Sequence, residues 1–482
     1  MSPSITPDPA AASAIAAHRF GLGEPDLTVV GTDARAWLRA QIGPADPQRG
    51  ADRSAGLPSL PEALARQAAA RPADARVAKD ALRVQVQNDM RARLVTAATS
   101  TRPFAERLAL FWCNHFTVSL GKASTQGLVG AFEREAIRPH IAGRLVDLLT
   151  AAVTHPAMLR YLDNHLSAGP QSTLVQRLGR RSALAAAAAG TDAAPASTAP
   201  RLTGLNENLA REVLELHTLG VAGGGGAYGP WGGYSQADVT ALAAVLTGWR
   251  GPRPGATADL ASGTEADFDP AWHQPGPKTV LGRRYDAGPL ALPAVLADLA
   301  RQPATHRHIA TKLARHLVAD QPPPALVARM AQRLGDTDGD LTALYQTLID
   351  APEAWASTPT KLKTPEEFVL SSARLLRQGE QLARRAPDAG LSALGQRPHH
   401  ATSPAGWSDL ASDWLGPEAV WQRIEWATQA ASRQAAQVDA RALAQASLGV
   451  LLGNATRQQL ERAADGPQAL TLLLMAPEFQ RR

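Results

Sequence analysis

The chain has 482 residues, of which 45% are hydrophobic and 19% are charged, and its formal net charge is +5. This composition can form a packed core and excludes a chain that is disordered throughout. Basic residues are interspersed with acidic ones and form no stripe with aromatic residues, which argues against a nucleic-acid binder. The single cysteine, Cys113, excludes an intramolecular disulfide and a zinc site with four cysteine ligands.

The N-terminal residues and the length of the apolar stretches bear on targeting and membrane insertion. Residues 1–17 lack a basic segment followed by an apolar one, so they do not read as a signal peptide. No stretch approaches the roughly 18 uninterrupted apolar residues of a membrane span. From these residues alone we predict a soluble, cytoplasmic protein.

Apolar residues recur at steps of three and four along most of the chain, which predicts helices. Residues 78–100, for example, carry a single apolar stripe. Two lobes are expected from the length, at 1–250 and 251–482. The fold class is therefore all-α, a multi-helix assembly with long Gly/Pro loops and at most a minor β element at residues 279–281. The Ala-rich stretch 183–203 predicts a mobile surface insertion.

Helical patterns in the first lobe cover 13–23, 60–70, 78–100, 126–152 with a break at Pro139, 205–219 and 236–246. A helix that begins at Pro103 carries an aromatic run, and another begins at residues 155–156. The second lobe is predicted to contain helices at 291–302, 304–319, 324–335, 339–350, 364–377, 417–431, 439–448, 455–465 and 467–475. A long Pro-containing loop is expected at 386–416.

The helix at 205–220 carries the densest polar pattern in the chain. At about 100° per residue, one face holds Asn208, Arg211, Glu212 and Glu215. The other face holds Leu209, Val213, Leu216 and His217. An amphipathic helix with a solvated charged face explains this pattern. Alternatively, Glu212 and Glu215, spaced i,i+3, hold a divalent metal together with His217.

A second polar pair lies within the aromatic run at 111–116. Burying Asn114 and His115 among aromatic rings costs about 1–3 kcal/mol each unless hydrogen bonds satisfy them. They therefore belong to a satisfied buried network, or they line a pocket in which His115 is a base or a metal ligand. Cys113 has no adjacent basic residue to favour its thiolate, so it is not expected to be a nucleophile.

Two further segments have both a structural and a functional interpretation. Asp163 and Asn164 follow a helix, where capping explains them, but they could also join a site. His273 and Lys278 lie in a loop and are either surface residues or part of a site. The run Gly223–Gly226 follows a helix and is not a phosphate-binding loop, and the chain has no nucleophile elbow.

Several of these segments together resemble a bacterial family catalogued as domain of unknown function 1800. The matching segments are 111–116, 163–164, 206–220, 233–239, 246–249, 312–313, 322–323 and 403–407. The resemblance extends from about Ala17 to Phe479. It implies a mostly helical fold, export of many members, and a sulfatase-like protein partner. Export disagrees with the lack of a signal-peptide pattern in residues 1–17. An exported or periplasmic location is therefore the alternative to a cytoplasmic one.

This chain departs from the family pattern at two positions. The family often has His-Asp where this chain has His273 and Gln274, and it often has Arg where this chain has Ala244. If that Asp were a catalytic acid or a ligand, this member would be impaired or altered.

Two functional hypotheses follow. In the first, the protein is a hydrolase-like or metal-assisted enzyme whose catalytic residues are Asn114, His115, Arg211 and His217. Glu212, Glu215 and His217 would be the ligands of a divalent metal, and Arg211 would bind an anionic group. In the second, the protein is a non-catalytic binding or assembly protein in which the same polar groups form a structural network. Both require these groups, with Asp163, Asn164 and Asn208, to converge between helices.

Overall fold

The computed structural model describes residues 9–43, 56–189, 204–221, 233–251 and 268–482. Helices dominate these residues, as the apolar periodicity predicts, and one small two-stranded sheet accompanies them. Within this part of the chain, no helix is both long enough and apolar enough to cross a bilayer. The predicted all-α class is therefore confirmed.

The first half of the chain contains eleven described helices. They are α1 (Pro9–Ile15), α2 (Ala34–Arg39), α3 (Leu60–Ala69), α4 (Arg76–Thr99), α5 (Pro103–His115), α6 (Val129–Phe132), α7 (Leu145–Thr154), α8 (Pro156–Tyr161), α9 (Thr173–Ala189), α10 (Asn208–Glu212) and α11 (Gln236–Leu246). Three π-helical segments follow directly on α1, α6 and α10, at Ala16–Phe20, Glu133–Ile137 and Val213–Thr218. The break expected near Pro139 is present, as a short 3-10 turn at Arg138–His140.

The second half begins with a hairpin of β1 (Lys278–Val280) and β2 (Arg283–Tyr285), antiparallel with Thr279 opposite Arg284. Ten described helices follow it. They are α12 (Ala291–Ala300), α13 (Pro303–Leu317), α14 (Pro324–Asp336), α15 (Leu341–Asp350), α16 (Pro365–Leu375), α17 (Pro417–Gln434), α18 (Ala440–Leu448), α19 (Asn454–Arg462), α20 (Gly466–Met475) and α21 (Pro477–Gln480). Proline at the first turn of α13, α14, α16 and α17 fits these starts, because that position needs no N–H donor.

Buried apolar side chains form two clusters. The larger runs from Ile15 to Trp355 and includes Leu209 and Val213 of the helix predicted at 205–220, called the signature helix below. The smaller is built mainly from α16 to α21, with Leu94 and Leu110 reaching in from α4 and α5. The larger cluster draws on both sides of residue 250, and the lobe boundary at that position stays a prediction.

The insertion expected at 183–203 is only partly as predicted. Helix α9 continues to Ala189, so residues 183–189 are helical and not part of a loop. The Ala-rich sequence favours this outcome, because alanine has the highest helix propensity. Residues 190–203 and the glycine run at 223–226 lie outside the described residues.

Candidate active site

The signature helix is less regular than its sequence suggests. It begins at Asn208 as an α-helix and widens to a π-helix at Val213. The Leu219 amide donates to the Leu214 carbonyl at 2.9 Å, five residues back. The Thr218 hydroxyl donates to the Val213 carbonyl at 2.6 Å. Such π-helical turns often occur at functional sites. Here the widened turn carries His217 on its buried side.

His115 and His217 lie against each other, as the polar pattern led us to expect. The His115 Nε2 lies 3.2 Å from the His217 carbonyl oxygen, and the two ring centroids are 6.1 Å apart. Both side chains are about 1% exposed. A third ring, that of His308 on α13, lies 6.1 Å from His115. His308 was not among the residues predicted for the site, and it joins the cluster from the second half of the chain.

This histidine cluster is kept neutral by its surroundings. Burial, reinforced by the charge of Lys312, lowers the pKa of His217 to about 3 and that of His308 to about 4. The pKa of His115 is lowered well below its usual value for the same reasons. Burial also lowers the pKa of Lys312 to about 8. The Nδ1 atoms of His115 and His217 have no hydrogen-bond partner among the described residues.

The carboxylates of the signature helix do not join this cluster to form a metal site. Within the described ranges, no three His, Cys, Asp or Glu side chains are placed to hold a metal ion, so Glu212, Glu215 and His217 are not such a group. Glu212 and Glu215 are half-buried. Burial first, and then the neighbouring charge of Glu215, raises the pKa of Glu212.

Other predicted members of the site lie elsewhere. Asn208 is exposed, and Arg211 pairs with Glu207 at 3.5 Å on the surface and donates to Gln236 at 3.0 Å. The expected convergence therefore fails for these two residues, because the solvated face of the helix accounts for them. Asp163 is also at the surface, where it pairs with Lys122 at 2.6 Å.

Asn164 and His273 are buried and hydrogen-bonded. The Asn164 amide donates to the carbonyls of Leu246 and Trp249, at 3.1 and 2.9 Å, and so holds the end of α11. The His273 Nδ1 lies 2.7 Å from the Thr247 carbonyl, and its Nε2 lies 2.9 Å from the Lys278 Nζ. A neutral ring that donates from Nδ1 and accepts at Nε2 satisfies both contacts. These contacts support a structural role.

Asn114 leads to a different part of the molecule. Its amide donates to the Trp407 carbonyl at 2.9 Å, and its Oδ1 accepts from the Trp407 amide at 2.7 Å. Gly406, with φ of +81°, packs so closely there that a Cβ would lie 2.6 Å from the Asn114 Oδ1 and 2.8 Å from the Thr117 Oγ1. The motif at 403–407 is thus the loop that docks on the end of α5.

A small pocket of about 70 Å³, called the central pocket below, lies beneath this loop. Its walls come from α4, α5, the π-helical segment 133–137, α13, α16 and the loops at 396–401 and 407–409. The polar side chains among its lining residues are Arg93, Arg107, Asn114, Thr117, Glu133, His316, Thr364, Glu366, Glu367, Gln396, His399, Ser408 and Asp409. Such a volume admits a few water molecules or one polar group of a larger molecule.

Asp409 and His316 face each other in this pocket. The Asp409 Oδ1 accepts from the His316 Nδ1 at 2.7 Å. The Nε2 of the same ring is buried and has no hydrogen-bond partner among the described residues, and it lies 3.8 Å from the Glu367 Oε1. Although burial opposes ionisation, the adjacent His316 ring and this hydrogen bond lower the pKa of Asp409.

Most of the remaining charges around the pocket are paired. Arg93 contacts Glu133 at 2.7 Å and Glu366 at 2.9 Å, and Arg107 pairs with Glu367. Buried Arg482 also donates to Glu367, at 2.6 Å. Despite its burial, Glu367 has a lowered pKa because Arg482 and Arg107 are adjacent. The Glu367 carboxylate is therefore ionised at neutral pH.

Sequence reasoning identified Asn114 but missed His316 and Asp409. The spacing of His308, Lys312 and His316, at i, i+4 and i+8, places all three on one face of α13 and could have indicated a buried polar face. Asp409 gave no such signal, because it lies in a loop. Only the docking of residues 406–409 on α5 brings Asp409 to His316.

These features define a mainly helical protein with a charged, partly enclosed central pocket. A family model described as a protein of unknown function (DUF1800) matches residues 15–481, so the chain belongs to that family. The expected resemblance is thereby confirmed. No curated protein and no solved structure matches the chain.

Proposed function

We propose that the protein is a hydrolase-like enzyme in which His316 is the general base of the central pocket. The observation that carries this proposal is the geometry of one ring. Asp409 accepts from the His316 Nδ1 at 2.7 Å, while the buried Nε2 of this pocket-lining residue has no partner among the described residues. A carboxylate that fixes the tautomer and orientation of an imidazole leaves the second nitrogen free to take a proton.

The surroundings of His316 suit this role. When Nε2 takes a proton from water or a hydroxyl group, the resulting imidazolium lies between the carboxylates of Asp409 and Glu367. Their negative charge stabilises it. Asn114 is a positioning residue in this scheme, since it holds the backbone of Trp407, two residues before Asp409.

The other predicted residues have smaller parts in the proposal. His115 and His217 pack beside α13 as a neutral, buried cluster that supports the helix carrying His316. Arg211 is on the surface, paired with Glu207, and is given no part in catalysis. The proposal does not depend on a metal at Glu212, Glu215 and His217.

The test is hydrolysis of chromogenic nitrophenyl esters with acetyl, phosphodiester and sulfate groups. For at least one substrate we expect His316→Asn to lower kcat/KM by about 10²-fold or more, the usual contribution of a general base. Asp409→Asn should also lower it. His306→Asn is the matched control, because His306 is buried on the same helix and its Nε2 bonds the Ala300 carbonyl, at 3.0 Å, with no carboxylate within salt-bridge distance in the described residues. Equal activity in the His316 and His306 variants would contradict the proposal.

A second candidate function, a non-catalytic binding or assembly protein, is favoured by the buried ion pairs of the described part of the chain. Arg138 contacts Glu106 at 3.0 Å and Glu133 at 3.1 Å, and Arg374 pairs with Glu24, so buried ion pairs connect distant segments of the chain. Truncating one member of such a pair typically costs about 3–5 kcal/mol. If His316→Asn and Asp409→Asn change only stability, and the wild-type protein hydrolyses none of the esters, this second function is supported.

A further inference from the structure

A large groove lies on the other side of the loop that contains Pro398 and His399. It has a volume of about 840 Å³, within the range of ligand pockets. Its walls are the end of α3, the first half of α4, the segment 120–126 and the residues that follow α8. The loop 396–400 separates the groove from the central pocket: Pro398 and His399 line the pocket, whereas Arg397 and His400 line the groove.

The groove is basic along its whole length. Among its described lining residues five are cations, namely Arg71, Lys79, Arg83, Arg160 and Arg397, and none is an aspartate or a glutamate. Arg83 pairs with Asp80 at 3.2 Å on the exposed side of α4. Of the other four, none has a carboxylate within salt-bridge distance in the described part of the chain. This contrasts with the central pocket, where carboxylates pair with Arg93 and Arg107.

The positive charges of the groove affect the pKa values of two of its own residues. Burial, and then the charge of Arg71, lowers the pKa of half-buried Arg160. Burial first, with a smaller effect of Arg397, lowers the pKa of His400. Like charges that face one another across a cleft repel, and they raise the local concentration of anions.

The neutral lining residues narrow the ligand class. Leu82, Val86 and Met90 form an aliphatic floor along α4, and Gln87 and Gln126 add amide groups. The described part of the lining contains no tryptophan, tyrosine or phenylalanine, so these residues offer no aromatic ring on which a nucleic-acid base could stack. Four of the five cations are arginines, whose planar guanidinium groups match phosphate, sulfate and carboxylate oxygens.

We propose that this groove binds a small multivalent oxyanion, a molecule that carries several phosphate, sulfate or carboxylate groups and no nucleobase. Its charged groups contact Arg71, Lys79, Arg160 and Arg397. The proposal is independent of hydrolysis in the central pocket.

The test is calorimetric titration of the full chain at low salt with two probes, tripolyphosphate and a heparin-derived hexasaccharide. We expect at least one probe to bind with one-to-one stoichiometry. In Arg71→Gln/Lys79→Gln its Kd should rise by about tenfold or more, because charge-assisted hydrogen bonds are lost. The stronger probe distinguishes phosphate from sulfate and carboxylate ligands.

The matched control is Arg66→Gln/Arg76→Gln. Arg66 and Arg76 are exposed on α3 and α4 and do not line the groove. Both double variants remove two positive charges, so the net charge changes equally. We expect less than a twofold change in its Kd. The proposal is overturned if neither probe binds, if both double variants weaken binding equally, or if an oligothymidylate binds as tightly as the better probe.

Discussion

The side-chain amide of Asn114 hydrogen-bonds both the amide and the carbonyl of Trp407, at 2.7 and 2.9 Å, and so fastens a distant loop to the end of α5. The two residues are separated by 293 positions in the chain. Two residues further on, Asp409 reaches His316. The Asn114 side chain is therefore one of the groups that hold the loop carrying Asp409, together with Lys361, which donates to the Asp409 carbonyl.

Replacing Asn114 by alanine should destabilise the protein and release the loop. Two backbone groups lose their partner, and each unsatisfied buried group costs about 1–3 kcal/mol. The free energy of unfolding from urea titration measures this loss. Asn208→Ala is the control, because Asn208 is exposed, and we expect it to change stability by no more than about 0.5 kcal/mol. Equal losses in the two variants would show that the Asn114 clamp is not important.

Gly406→Ala should be more destabilising than alanine at another left-handed glycine. Gly395 has the same φ of +81°, but no atom lies within 4 Å of its hypothetical Cβ. Gly395→Ala therefore measures backbone strain alone, about 1–2 kcal/mol. Gly406→Ala adds steric overlap with Asn114 and Thr117, which should cost about 1–3 kcal/mol more. Thermal and urea unfolding of the pair give the difference, and a difference near zero would refute the close packing described above.

Acid should destabilise the protein partly through His217. Its pKa is about 3 in the folded protein and about 6.5 in an unfolded chain, so between these values the unfolded chain binds more protons. The stabilisation is therefore fully present above about pH 6.5 and is lost as the pH falls towards 3. One such histidine contributes a slope of up to about 1.4 kcal/mol per pH unit.

In His217→Leu, the dependence of the unfolding free energy on pH should be less steep between pH 6 and 4 by about that amount. Urea titrations at several pH values measure the slope. Above pH 7 the slopes of the two proteins should agree, which is the internal control. An unchanged slope below pH 6 would mean that His217 is not buried in its neutral form.

Cys113 should resist alkylation in the folded protein. Burial, reinforced by the charge of Glu133, raises the pKa of its thiol, so little thiolate is present at pH 8. Because the chain has one cysteine, mass spectrometry after iodoacetamide treatment reports on this site alone. We expect labelling to be at least about tenfold slower in the folded protein than in urea. Equal rates would place Cys113 in an open, polar environment.

Much of the fold follows from local sequence. Apolar residues that recur every three or four positions predict the helices, and prolines and glycines mark many of the helix ends. Both signals depend only on residues that are close in sequence. The approach of His115 to His217 was also expected, because the polar groups of the two helices were predicted to converge. The π-helical turn at Val213–Thr218 was not expected, since its wider hydrogen bonding depends on packing against α5 and α13.

By itself, the sequence determined the helical class, most helix positions, the family and the burial of His115 and His217. Only the tertiary structure decided that Arg211 and Asn208 are at the surface and that His316 meets Asp409. The physical reason is the separation in sequence over which each effect acts. Periodicity and capping are local, whereas a hydrogen bond between residues 93 positions apart depends on how a loop docks on two helices.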